Sequence, residues 1–321
     1  MELLNRTESR DYPPDYLQAR ISGRRTALIS DWEPLIVAVD PFAALPVSPL
    51  RRAMTGHSPE EGWKNLLRET AWLYRQMDRR LRHIFSPLFG WIELRTLTLC
   101  LRHLPEEQAG KIEELLQSSL LSAGLQKVLR GGGEQADVLT AVTRLLATDG
   151  RQKRRLTTVY HQEGLAGFER ELTDLYLAET AASRLHPLIR DFLACLIEAR
   201  NIIILYKHLR WRISTPPVFI AGGKSDVATL VKLAKRANQE ELLLLMRKLT
   251  GTKMAITTVE SVERLLLAWI TRRVRRRGRE PLQPGAILAY LWRFYLEARN
   301  LGLLSYCHGA ERELLRTELI Q

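Results

Sequence analysis

The tetrapeptide Glu198-Ala199-Arg200-Asn201 returns as Glu297-Ala298-Arg299-Asn300, and a related copy, Glu93-Leu94-Arg95-Thr96, precedes both. The spacing is about 100 residues each time, so the sequence reads as three copies of one helical module. Apolar residues follow every copy: Leu97, Leu99 and Leu101, then Ile202 to Leu205, then Leu301, Leu303 and Leu304. A segment carrying an aromatic residue precedes each, around Trp72, Tyr176 and Trp269. The expected modules are residues 1–108, 109–214 and 215–321.

The periodicity between these landmarks is helical. Residues 188–213 place Leu193, Leu196, Ile197, Ile203, Ile204 and Leu205 at helical spacing, with Pro187 before the start and Pro216-Pro217 at the stop. Residues 287–304 read the same way. Residues 63–84 form a third long helix, with Pro87 ending it. Shorter helices are expected over 111–123, 239–249 and 262–274. Only 35–39 and 218–221 look strand-like, and each is too short and isolated to build a sheet. The expected class is all-α.

On a helix, residues three apart share a face and residues two apart do not. Glu198 and Asn201 therefore point one way and Arg200 another. The Glu198 face holds Ala194, Cys195, Ile202 and Leu205, so its carboxylate must be paired or hydrogen-bonded. A basic or hydroxyl partner within the same module is expected for each of the three glutamates. A carboxylate that recurs once per module is a structural anchor rather than a catalytic group. The motif set is Glu93, Arg95, Glu198, Arg200, Asn201, Glu297, Arg299 and Asn300.

Local signatures of chemistry are absent. Gly223-Lys224-Ser225 resembles the end of a phosphate-binding loop, but Val218 stands where that loop requires glycine. The seven histidines form no metal-binding pair; His103, His208 and His308 fall at related places after their motif glutamates, at a helix end where a cation is mildly favoured. Cys100, Cys195 and Cys307 are too few and scattered for a disulfide framework and read as buried small residues of a protein kept in a reducing compartment. No catalytic, cofactor-binding or metal-binding residues are assigned. No uncharged run approaches the ~18 residues of a membrane span, and the start lacks an apolar leader.

Charge is the remaining signal. Lys and Arg number 48 against 36 Asp and Glu, a net +12, which calls for an acidic partner: an acidic protein, an anionic lipid surface or nucleic acid. The densest run is Arg272, Arg273, Arg275, Arg276, Arg277 and Arg279. Its like charges four apart weaken an isolated helix, so it marks a solvated helix end or an anionic neighbour. Lesser clusters surround Arg79 and Arg154. Nucleic acid ranks last, because neither a recognition signature nor interleaved aromatics accompany the arginines.

Three stretches carry a resemblance. Tyr16-Leu17-Gln18-Ala19-Arg20-Ile21, continuing through Arg24-Arg25 to Leu28-Ile29-Ser30, resembles the N-terminal segment of the C/d-type subunit family of V-type and A-type ATPases. The motif at 198–201 with Leu205, Leu209, Arg210, Phe219-Ile220 and Gly222-Gly223 looks like that family's second long helix and its Gly-Gly turn. Residues 290–304 are similar to its last long helix. Residues 121–155 match nothing specific in the family, and Gly302-Leu303 stand where a basic residue is expected. The resemblance implies a funnel-shaped all-α protein of three similar modules about a pseudo-threefold axis. It implies a peripheral position on the cytoplasmic side of the membrane, between the proteolipid ring and the central-stalk shaft, coupling ATP hydrolysis or synthesis to proton or sodium transport. It implies no catalytic role and no cofactor. The arginine run at 272–279 then becomes a candidate contact for a partner protein of that complex or for anionic lipid headgroups. The alternative reading is a basic helical repeat scaffold or nucleic-acid-binding protein, without any rotary complex.

Overall fold

A computed structural model describes residues 1–5, 8–48, 60–105, 108–252, 256, 258–280, 284–306 and 312–320. These residues fold into α-helices without a strand; the only β pairing among them is an isolated bridge between Leu4 and Leu121. The elements run α1 (Pro14–Arg25), α2 (Glu33–Val37), α3 (Glu61–Gln76), α4 (Arg79–His103), α5 (Ala109–Leu116), α6 (Ala123–Gly131) and α7 (Gln135–Leu146). The second half runs α8 (Gly150–Ala182), α9 (Pro187–Arg210), α10 (Val227–Arg236), α11 (Gln239–Thr250), α12 (Val259–Arg277), α13 (Gly285–Tyr306) and α14 (Arg312–Glu318).

The helix ends follow local chemistry. Asp78 caps α4 by accepting from the Leu81 N–H at 2.7 Å, and Asp149 caps α8 through the Gln152 N–H at 2.8 Å. Thr258 and Ser261 form a reciprocal capping box on α12. Asn238 opens α11, and Gly251, in the left-handed region at φ 69°, closes it.

Several expectations are corrected. The helix expected over 63–84 is two helices, because Met77 is extended (ψ 140°) and Asp78 starts a new one. Pro87 does not terminate anything; it lies inside α4, where burial of Phe85, Leu88 and Phe89 on both sides outweighs one missing hydrogen bond. The helix expected over 111–123 ends at Leu116 and a new one begins at Ala123. The strand-like segment at 35–39 is largely the short helix α2, and 218–221 is irregular, running into a turn at Ala221. Residues 121–155 supply α6, α7 and the start of α8.

The long helices α4, α9 and α13 form the interior, α13 packing along α3 and α12 along α9. One continuous core links most of the chain. A second joins Ile29, Trp32, Leu35 and Ile36 to Leu301, Leu304, Leu315 and Leu319, so α2 is seated against α13 and α14. Helix α4 is long and apolar enough to cross a membrane by length and composition, but 67% of that stretch is buried inside the protein itself.

Candidate functional site

The three motif glutamates are 1%, 0% and 3% exposed, so each carboxylate needs internal partners. Glu93 accepts from the Leu120 N–H at 2.6 Å and from the Ser119 hydroxyl at 2.7 Å. Glu198 accepts from the Ser225 N–H at 2.8 Å and from the Ser225 hydroxyl. Glu297 accepts from the Ile29 N–H at 2.7 Å. In every case a short helix starts a few residues beyond the captured N–H: α6, α10 and α2 respectively.

The partners lie equally far along the chain. Leu120 and Ser225 each follow their glutamate by 27 residues. Asn201 exchanges two hydrogen bonds with the backbone of Ile220, at 2.8 and 2.9 Å, and Asn300 does the same with Ile320, at 2.9 and 3.4 Å; the separations are 19 and 20 residues. Thr96, at the corresponding place in the first copy, accepts instead from the Trp63 indole N–H at 3.3 Å. The expectation of a partner within the same stretch is met at Glu93, through the Thr96 hydroxyl, and otherwise corrected: Glu93 also reaches from 1–108 into 109–214, Glu198 is held by Ser225 in 215–321, and Glu297 by Ile29 in 1–108. The reason is geometric. The chain leaving α4 or α9 doubles back along the helix, so what lies level with the mid-helix carboxylate is the segment that leads into α6 or α10.

Burial pushes the Glu93 carboxyl up to about 7, against the opposing hydrogen bonds from Leu120, Ser119 and Thr96. The Gly222-Gly223 turn is shaped by Glu198. A Cβ on Gly223 would stand 2.7 Å from the Glu198 Oε2, and Gly222 has φ 95°.

The motif arginines point away from these carboxylates, as helical geometry requires. Arg95 lies over the Trp63 ring, 4.7 Å from its centroid. Arg200 pairs with Asp174 and donates to the Arg170 carbonyl at 3.1 Å. Arg299 donates to the Glu318 carbonyl at 3.2 Å. Cys100 and Cys195 are buried, which pushes their thiols up to about 12 and about 11. Cys307, His308 and His57 lie outside the described residues. His103 pairs with Glu60 at 2.8 Å, and Lys224 of the loop-like Gly223-Lys224-Ser225 pairs with Asp191. Among the described residues no group of three His, Cys, Asp or Glu could hold a metal ion.

The helices α4, α9 and α13 meet at an aromatic junction that sequence reading missed. Trp91 contacts Phe192 at 6.3 Å between ring centroids, Phe192 contacts Trp292 at 5.4 Å, and Trp292 returns to Trp91 at 6.5 Å. Tyr295 stacks on Trp292 at 5.2 Å and reaches Trp91 at 5.0 Å. The signal was present: Trp91 and Tyr295 both stand two residues before a motif glutamate. Beside the junction lies an open groove of about 390 Å³ whose lining includes Trp91, Tyr295, Arg95 and Arg200.

The arginine run at 272–279 is not one uniform surface. Arg272 donates to the Thr250 carbonyl at 2.9 Å, and Arg273 pairs with Asp191 at 3.2 Å. Arg277 pairs with Glu280 at 3.4 Å. Arg275 is exposed at the rim of a cavity under α13, and Arg276 and Arg279 are exposed away from it.

No curated protein matches the chain. The sequence signature of the ATP synthase (C/AC39) subunit matches residues 63–313, from the start of α3 into α14 and across all three motif copies. A match over that much of the chain, on a helical fold held by those motifs, places this protein in the ATP synthase (C/AC39) subunit family.

Proposed function

We propose that this chain is a non-catalytic central-rotor subunit of a V/A-type rotary ATPase. It couples the central stalk to the membrane proteolipid ring on the cytoplasmic side, as a peripheral subunit, and so links ATP hydrolysis or synthesis to ion transport. The observation that carries the reading is the family match over residues 63–313. Three modules, 1–108, 109–214 and 215–321, surround a pseudo-threefold axis in this reading, and the matching 27-residue spans from Glu93 to Leu120 and from Glu198 to Ser225 support a repeated module.

Torque transmission needs low internal compliance, and close-packed helices resist deformation. The carboxylate ties add to that: Glu93 and Glu198 each fasten a connection to the helix it leaves, and Glu297 fastens the segment before α2 to α13. The groove beside Trp91 and Tyr295, rimmed by Arg95 and Arg200, suits a shaft segment bearing acidic residues. The exposed Arg276 and Arg279 suit an acidic neighbouring protein or lipid headgroups.

The test is affinity purification of the tagged protein from detergent-solubilised native membranes, with mass spectrometry of what accompanies it. Proteolipid, shaft and nucleotide-binding head subunits are expected. Recovery of nucleic-acid-associated proteins, or absence from membranes, overturns the reading in favour of a basic scaffold.

A further inference from the structure

Arg25 at the end of α1, Arg275 in the last turn of α12 and Arg293 in α13 converge on one partly enclosed cavity of about 360 Å³. That volume falls within the range of small-molecule sites, roughly 300–1,000 Å³. Trp32 and Trp292 form part of its wall, and Ser30 lies at its edge. Neither Arg25 nor Arg275 has a carboxylate partner among the described residues. Of those residues, the one carboxylate lining the cavity is Glu297, which already accepts from the Ile29 N–H. Arg293 donates to the Ile29 carbonyl at 3.2 Å, and burial together with the charges of Arg25 and Arg275 lowers its guanidinium below the ordinary arginine value. Three guanidiniums thus face a cavity with one committed carboxylate among them.

The repeat shows that this charge is not part of the common architecture. The residue four before each motif glutamate is Phe89 in the first copy, Ala194 in the second and Arg293 in the third. Packing at this position is met by apolar side chains twice. The third copy places an arginine there and brings two more to it from distant elements. Arg293 is part-buried and Arg25 and Arg275 stand exposed at the rim; like charges gathered around a cavity with room in front of them are what an anion site needs before its ligand arrives.

We propose that this cavity binds a phosphate monoester, with Arg25, Arg275 and Arg293 holding the dianionic phosphate and the tryptophan-lined wall accommodating its organic part. The ester is either a soluble metabolite or the headgroup of a membrane lipid such as phosphatidic acid. The chemistry at the arginines is the same for both.

The experiment uses the full chain. Titration calorimetry is run with glycerol 3-phosphate and, for comparison, with the phosphodiester glycerophosphocholine. Flotation is run with phosphatidylcholine vesicles with and without phosphatidic acid. Saturable binding of the monoester identifies a soluble ligand, and flotation that requires phosphatidic acid identifies the lipid; either supports the site. Arg275→Gln should weaken the observed binding about tenfold, the worth of one charged hydrogen bond, and Arg144→Gln, which removes the same charge from the exposed face of α7, should leave it unchanged. Without ligand, Arg275→Gln should keep or raise the melting temperature, because it relieves repulsion at Arg293. Absence of binding in both assays overturns the proposal, as does binding of the diester equal to that of the monoester. Equal losses from Arg275→Gln and Arg144→Gln would reduce the effect to nonspecific charge attraction and also overturn it.

Discussion

A glutamate buried with neutral donors alone is a different object from one buried with a cation, and Glu93 shows the difference. Its folded carboxyl is raised to about 7 by burial, while in the unfolded chain it titrates in the ordinary carboxylate range. Between those two values the folded protein binds a proton that the unfolded chain has released. Stability supplied by this group therefore falls as pH rises from about 4.5 to about 7, by up to about 1.4 kcal/mol per pH unit. Glu93→Gln copies the protonated form, so urea denaturation should show the wild type losing stability relative to the variant across that window; parallel curves would contradict the account. At Glu198 the partners are the N–H and hydroxyl of Ser225. Glu198→Ala strands both and should cost about 2–4 kcal/mol in urea denaturation, with the chain still folded. What the sequence disclosed here was the need: a carboxylate on an apolar helix face must find partners. The partners' identities were hidden, because Ser225 and Ile29 are set by how the chain turns and not by any local pattern.

At the scale of helices, periodicity located α9, α11 and α13 within a few residues, since long apolar stripes bounded by proline or glycine leave little choice. It failed at the α3–α4 break and at Pro87, where tertiary packing overrode a local breaker. The Pro87 region has its own logic. The Pro87 carbonyl accepts from the Tyr176 hydroxyl of α8 at 2.8 Å, and that hydroxyl rests on Gly90, where an added Cβ would stand 2.2 Å away. Two helices are thus fitted together by a phenol lying on a glycine. Gly90→Ala should push Tyr176 out and destabilise the protein by about 1–3 kcal/mol, read by thermal unfolding, and Tyr176→Phe in the same chain should restore part of the loss. The aromatic junction of α4, α9 and α13 lay in plain view as Trp91 and Tyr295, but only their shared offset from the motif glutamates marked them.

For the molecule as a whole, net charge predicted an acidic partner without saying which arginines meet it. The structure divides the 272–279 run: Arg272, Arg273 and Arg277 have partners within the chain, and Arg276 and Arg279 have none among the described residues. Reversing both, Arg276→Glu with Arg279→Glu, should leave the melting temperature within about 1 kcal/mol equivalent of the wild type while reducing co-purification with the complex; undiminished recovery would remove these residues from the interface. The tie between Glu297 and the Ile29 N–H has a further consequence, in the order of synthesis. It spans 268 residues, and the same distant ends are joined by the Ile29–Leu301 cluster, by the pair Arg316–Glu33 and by the Tyr290 hydroxyl on Glu69, which Arg24 also grips. On a ribosome adding ~5–20 residues per second, the segment around Ile29 and Trp32 waits tens of seconds before the helices that cover it exist. Its apolar side chains stay open for that interval, so this segment is where a chaperone would engage the nascent chain, and where slowed translation before α13 would prolong exposure to aggregation.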